Sequence, residues 1–341
     1  MNRPSLSPSL NHQYVMDSIV PALRYDGGDV RSWQEGLRPK LRDLLGHMPE
    51  DRIPLSVSSL WKRDHPLGTI EKVVYASEPY ADIPAYVCLP KGATPPFTFF
   101  ICVQGHSSGM HLSIGVNQED ETEPIQVEGD RDFALGCMRR GLAALCIEQR
   151  GFGELEERSQ KIRSSNRCHD TMMQALLLGR TLPGERVFDI DRAIDYLETR
   201  GDADMNRLGL MGTSGGGMVT IWAAALLPRL RFAMPASHFC TFRDGVMSIH
   251  HCGCCYVPGV YRYAEMADVA GLFAPRPMVI VTGRDDPSKP IAAVRKAFDD
   301  LKRIYRMAGA EDQCQLVVGE GGHRFYEKEA WDKMMALLQK G

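Results

Sequence analysis

An α/β fold with a mostly parallel central sheet, helices on both faces and a helical N-terminal extension is predicted by three features of the chain. Apolar runs alternate with helical stretches from Phe97 onward. Those runs are continuous, as strands buried on both faces require. They also end in small or polar residues, such as Gln104-Gly105-His106 and Gly283-Arg284-Asp285. With 341 residues and 44% apolar content, a large core is available. Residues 1–60 are read as a helical extension packed on the core, and 61–341 as the main domain.

In the extension, Trp33, Leu37, Leu41, Leu44 and Leu45 recur at helical spacing, and Gly46 with Pro49 stops the segment. Val73–Tyr75 and Ala85–Leu89 read as an antiparallel pair of strands around Glu78–Asp82. Pro95-Pro96 leads into Phe97–Val103, a central strand. A helix over 132–140 precedes a strand at Leu142–Ile147. The polar stretch 154–170 forms a surface loop, followed by helical segments near 171–179 and 184–199. A strand over Leu208–Met211 feeds a second apolar helix from Met218. Strands follow at Arg231–Pro235, Pro277–Thr282 and Gln315–Val318, with a helix over Ile291–Met307 and a last one from Phe325 carrying Trp331, Met334 and Leu337.

Forty Lys and Arg against 43 Asp and Glu give a net charge of -3 without a basic block, which argues against nucleic acid as a partner. No apolar run is long enough for a bilayer, and Met1–Leu10 lacks the core of a signal peptide, so no membrane partner and a cytoplasmic location are expected. The composition leaves room for a homo-oligomer. Ten cysteines are present; Cys88, Cys102, Cys137 and Cys146 sit in apolar runs, as small buried thiols do. Cys252, Cys254 and Cys255 cluster beside His250 and His251. Without a second paired C-x-x-C or H-x-x-x-H spacing, this segment reads as a reduced loop, with neither metal nor cofactor expected.

The chemistry is concentrated at Gly212-Thr213-Ser214-Gly215-Gly216, a G-x-S-x-G pattern between a strand and a helix. In a nucleophile elbow this pattern holds a serine on a sharp, exposed turn, with glycines where the helix and strand come close. A serine hydroxyl needs a base oriented by a carboxylate. In a sheet of this kind the partners lie beyond the carboxyl ends of strands. Asp285-Asp286 follow one such strand and His323 the last, giving the chain order Ser, Asp, His. Asp286 is preferred to Asp285 because Gly283, Asp286 and Pro290 follow a G-x-x-D-x-x-x-P arrangement. The amide of Gly215, and one from the loop at Gly105-His106, are the candidate donors to an oxyanion.

With these motifs in place, the chain resembles the α/β-hydrolases, and within them the serine esterases related to acetyl xylan esterase and dienelactone hydrolase. Arg150-Gly151-Phe152-Gly153, Gly184–Asp189, His251–Gly259 and Ala274–Pro277 also carry the likeness, which spans about residues 30–340. It implies Ser214 as nucleophile, His323 as base, Asp286 as its orienting acid, and the Cys-rich segment as a structural loop near the pocket. The expected reaction is hydrolysis of a small-molecule carboxylic ester, with a small acyl group such as acetyl favoured, through an acyl-enzyme. Gln104 departs from the His usual before that Gly, and a serine stands where true dienelactone hydrolases have cysteine. Residues 110–130 and 154–170 are expected to shape the entrance, with Arg167 and His169 within reach of it. A serine peptidase of prolyl oligopeptidase type is the nearest alternative, although the N-terminal region is short for a propeller gate. A non-catalytic hydrolase fold and a metal-binding module through residues 250–255 are the others.

Overall fold

The architecture is built on one nine-stranded sheet among the described residues, which in this computed structural model are 6–157 and 168–340. The strands are β1 (Ser58–His65), β2 (Gly68–Glu78), β3 (Ala81–Pro90), β4 (Phe99–Val103), β5 (Ala143–Ile147), β6 (Gly209–Thr213), β7 (Phe232–Ala236), β8 (Met278–Gly283) and β9 (Cys314–Gly319). Their order is β1-β2-β3-β5-β4-β6-β7-β8-β9. From β5 to β9 every neighbouring pair is parallel, while β1, β2 and β3 join as antiparallel hairpins, β3 against β5. The chain therefore has the α/β-hydrolase fold, as the alternation of apolar runs and helices predicts. No helix among the described residues is long and apolar enough to cross a membrane.

The helices are α1 (Pro8–Ser18), α2 (Val30–Leu45), α3 (Phe133–Met138), α4 (His169–Leu177), α5 (Leu182–Arg200), α6 (Gly215–Leu226), α7 (Met266–Gly271), α8 (Ile291–Met307) and α9 (Glu327–Leu338). One core cluster gathers α2, α5, α6 and α8 on one sheet face; the other joins α3 and α9. In α8 the buried positions Ala293, Val294, Ala297, Leu301, Ile304 and Tyr305 recur at helical spacing against solvated Arg and Lys. β1 and α7 are absent from the sequence expectation. β1, Ser-Ser-Leu-Trp-Lys-Arg-Asp-His, is an exposed edge without an apolar face. α7 spans only six residues, stabilised by a capping box between Glu265 and Asp268.

Helix α6 is apolar all round, and all twelve of its residues are buried. Its carboxyl end is closed by three arginines. Arg276 donates to the carbonyls of Ala224, Leu227 and Leu230, Arg38 to Ala225, and Arg42 to Leu226. Two of these come from α2, so that helix is tied to α6 by hydrogen bonds as well as by apolar contact. Burial pushes the Arg276 guanidinium down to about 10.

Candidate active site

The run Leu208–Met211 is fully buried because β6 lies between β4 and β7 at the centre of the sheet. The chain leaves it through Ser214, whose φ of 57° and ψ of -117° fall in a region that non-glycine residues seldom occupy. The turn is held by the Ser214 amide donating to Ala236 O at 2.9 Å. A Cβ on Gly216 would stand 2.2 Å from Val103 O, and one on Gly212 2.6 Å from the same oxygen. Glycine is required at both because β4 presses against the elbow, not only for backbone freedom.

Asp286 and His323 converge from the ends of β8 and β9. His323 Nδ1 lies 2.7 Å from Asp286 Oδ2, and Asp286 Oδ1 accepts from the amide and hydroxyl of Ser288 at 2.9 and 2.7 Å. Asp286 is buried, whereas Asp285 points to solvent. Burial alone would raise the Asp286 carboxyl, but the hydrogen bonds from His323 and Ser288 outweigh it and hold the group below the usual carboxylate range. In the tautomer that donates from Nδ1–H to Asp286, the His323 Nε2 lone pair is the one left to serve a candidate base. Ser214 and His323 line the same cleft, without a hydrogen bond between them among the described residues in this conformation.

The loop after β4 brings Gly105-His106 against the elbow. A Cβ on Gly105 would be 3.0 Å from Ser214 Cβ, and one on Gly215 3.3 Å from His106 Nδ1. The amides of Gly215 and His106 donate to no backbone acceptor among the described residues, which leaves both open as candidate oxyanion donors. Gln104, the departure noted in the sequence, is buried. Its side-chain amide donates to Ser113 Oγ and Arg131 O, tying the 110–131 segment to the strand end. Glu148, after β5, accepts from the amides of Met110 and Glu154 and so joins this loop to the next. Burial pushes its carboxyl up to about 8 against these donors. Arg150 forms a two-pronged ion pair with Asp189, which explains two motif residues as anchors of the 148–153 loop.

Two adjoining pockets open on Ser214. One of about 220 Å³ is lined by Gly105, His106, Glu128, Gly129, Arg131 and His323; the other, of about 370 Å³, adds His238, His251, Cys255 and Lys289. A larger cavity of about 820 Å³ lies between α2, α5 and α6 and contains none of the candidate reacting groups. The sequence reading missed Lys289 and His238. Lys289 is buried, and its ammonium meets His251 Nε2 while donating to Ser288 O at 2.9 Å. Burial lowers its pKa, and burial together with the Lys289 charge keeps His238 well below the usual histidine range. Spacing three after Asp286 was the available signal for Lys289, because a turn returns such a residue to the same side. Arg167 lies outside the described residues. His169 heads α4, half-exposed beside Asp170 at 3.1 Å, away from both pockets.

All ten cysteines are free thiols. Spacing within 250–255 predicts no metal site. The structure leaves His250, His251 and Cys255 apart from any ligand set, but gathers Cys252 and Cys254 with Cys168 and His106. No local motif could have paired residues so far apart in the chain.

The prolyl oligopeptidase family model matches residues 178–339, the stretch holding the elbow, Asp286 and His323. A Bacillus subtilis (strain 168) protein, "Putative hydrolase YtaP", is 26% identical over 297 residues, covering 84% of this chain and 92% of that one. Among solved structures, the "putative acetyl xylan esterase" of Bacteroides fragilis NCTC 9343 superposes with a TM-score of 0.74 at 15% identity, covering 92% of this chain and 83% of that one. A glucuronoyl esterase from Solibacter usitatus gives 0.68 at 15% identity, with 94% and 97% covered. The acetyl xylan esterase of Paenibacillus sp. R4 gives 0.57 at 20%, with 95% and 98% covered. These likenesses establish a shared fold over nearly the whole chain.

Proposed function

We propose, from an α/β-hydrolase fold with a strained serine at the end of its central strand, that this chain hydrolyses carboxylic esters by serine-dependent acyl transfer. The observation that carries this reading is the 2.7 Å contact of His323 Nδ1 with buried Asp286, at the rim of the cleft that Ser214 lines. In this mechanism His323 Nε2 takes the proton of Ser214 as its oxygen attacks the ester carbonyl. The bond between the two closes when substrate settles, as in many enzymes whose free form is loosely aligned. The oxyanion accepts from the amides of Gly215 and His106, each worth roughly 3 kcal/mol in comparable sites. His323 then protonates the departing alcohol, and water activated by the same nitrogen releases the acid.

A small acyl group such as acetyl is the favoured substrate part, in keeping with the pocket of about 220 Å³ beside Ser214. The relatives named as acetyl xylan esterases support the same choice by fold. The alcohol side is polar: His238, His251 and Lys289 line the wider pocket, which suits a leaving group rich in hydroxyl or carboxyl groups. Residues 106, 214, 215, 286 and 323 are therefore the proposed machinery, acting on a small molecule rather than on nucleic acid or membrane.

A peptidase is the second reading, favoured by the match of residues 178–339 to the prolyl oligopeptidase family. Rates on acetyl, butyryl, aryl and sugar esters beside a prolyl-peptide anilide separate the two. Ester turnover that disappears in Ser214→Ala, with no cleavage of the anilide, is expected; the reverse preference would replace the esterase with a peptidase.

A further inference from the structure

Four side chains from three distant stretches converge beside the elbow: His106 after β4, Cys168 before α4, and Cys252 and Cys254 in the connection after β7. Their donor atoms all lie within 4.8 Å of one another. Cys168 Sγ is 3.4 Å from Cys252 Sγ and 3.5 Å from His106 Nε2, and Cys254 Sγ is 3.0 Å from His106 Nε2. We propose that these four residues form a structural site for a thiophilic divalent cation, zinc(II) foremost, that fixes one wall of the active cleft.

The spacing suits the ion. Tetrahedral zinc with Zn–S near 2.3 Å and Zn–N near 2.0 Å holds its ligand atoms about 3.5 to 3.8 Å apart. The three closest contacts, 3.0 to 3.5 Å, lie at or just inside that range and the whole set stays within 4.8 Å, whereas a disulfide would need sulfurs at about 2.05 Å. Three thiolates and an imidazole favour zinc over magnesium or calcium, which take oxygen ligands. Four protein ligands also close the coordination shell, which is the pattern of structural rather than catalytic zinc.

Charge gives an independent reason. Zinc(II) with three thiolates and a neutral imidazole carries one net negative charge. Arg186 is 1% exposed and has no carboxylate ion-pair partner among the described residues. Its Nε and Nη2 donate to Arg150 O, its plane lies 4.0 Å from the Phe152 ring, and Nη1 is 3.7 Å from Cys254 Sγ. A buried guanidinium without an anion is costly; an anionic cluster at Cys254 supplies one. Phe152, Met172 and Leu182 pack around Cys168 and Cys254, so the interaction is made away from water. Binding at neutral pH releases up to three thiol protons, one per cysteine that becomes a thiolate.

The site also sets a proton. Metal on His106 Nε2 leaves the imidazole hydrogen on Nδ1, the nitrogen that faces Gly215. The cation would thereby orient the loop whose amide is a proposed oxyanion donor.

The test uses the full chain, purified in reductant and without chelator, with bound metals measured by mass spectrometry after gel filtration. About one zinc per chain is expected, falling at least tenfold in Cys254→Ser and Cys252→Ser but retained in Cys255→Ser, whose thiol lies outside the set. Because a ligand variant can fail to fold, the unmodified chain is also stripped and loaded with cobalt(II). Intense visible bands with thiolate charge transfer, bleached by added zinc(II), are expected of a tetrahedral sulfur-rich site. Absence of both zinc and the cobalt spectrum overturns the proposal. So does equal zinc in the ligand variants, or a mapped Cys168–Cys252 disulfide in the protein as isolated.

Discussion

The two walls of the cleft are made in opposite ways. On one, Ser214, Asp286 and His323 each follow a parallel strand, the first two fully buried and the last the half-buried edge strand β9, so the sheet's order brings them to one end. On the other, His106, Cys168 and Cys252 sit in loops, and buried polar links hold the wall: Gln104 to Ser113, Glu148 to Met110, Arg150 to Asp189. Regular secondary structure positions the proposed reacting groups, while side-chain chemistry shapes what surrounds them.

Substitutions on the two walls should therefore differ in kind. The largest effect is expected for Ser214→Ala, which should lower kcat on an aryl acetate by about 10⁴-fold or more while leaving the unfolding midpoint almost unchanged. A comparable rate in that variant would remove the strand-end wall from the chemistry. Asp286→Asn should cost about 10³- to 10⁴-fold by losing the orientation of His323, and Asp285→Asn less than about twofold. Equal losses at both positions would contradict the burial contrast between them.

Gly105→Ala joins the two walls. Its methyl would meet Ser214 Cβ at 3.0 Å, and a loss of about tenfold in kcat is expected with little change in stability. On the loop wall, Glu148→Ala should instead destabilise the fold by about 3 kcal/mol, because the buried amide of Met110 and the part-buried amide of Glu154 lose their acceptor. Denaturant unfolding checks this. A kinetic loss without destabilisation would place Glu148 with the reacting groups instead.

The smallest effect is in pH dependence. Asp286 is held below its ordinary value of 3.8, so its stabilisation is present above that pH and lost as pH falls through the lower folded value. The thermal midpoint of Asp286→Asn should accordingly fall less steeply in acid than that of the unmodified chain. Glu148 has the opposite sign. With its carboxyl raised from 4.5 to about 8, its contribution is greatest below 4.5 and declines as pH rises through about 8.

The same contrast explains what the sequence could convey. Phe99–Val103, Leu208–Met211 and Met278–Thr282 are continuous apolar runs, and a run of that kind marks both a buried strand and the strand end where a candidate residue is to be sought. Helix α8 has the bounds that its spacing predicts. Lys289 and His238 carry no such marker; they are polar residues whose burial only the folded chain shows. Cys168 meets Cys252 across 84 positions, and proximity at that range is a property of the folded chain alone. Edge strand β1 was illegible for a different reason, since it is formed by pairing seven of its residues with β2, without an apolar face.

The three arginines at the end of α6 bear on the oxygen at its beginning. A helix of twelve residues is about 18 Å long and behaves as a pair of opposite partial charges, negative at the carboxyl end. Arg38, Arg42 and Arg276 screen the negative pole, while the positive pole is left open at Gly215. The field at the amino end, where the proposed oxyanion would form, is thus nearer that of a single pole than of a cancelling pair. Two of the screening groups belong to α2, so that helix acts as an electrical ground for the far end of α6.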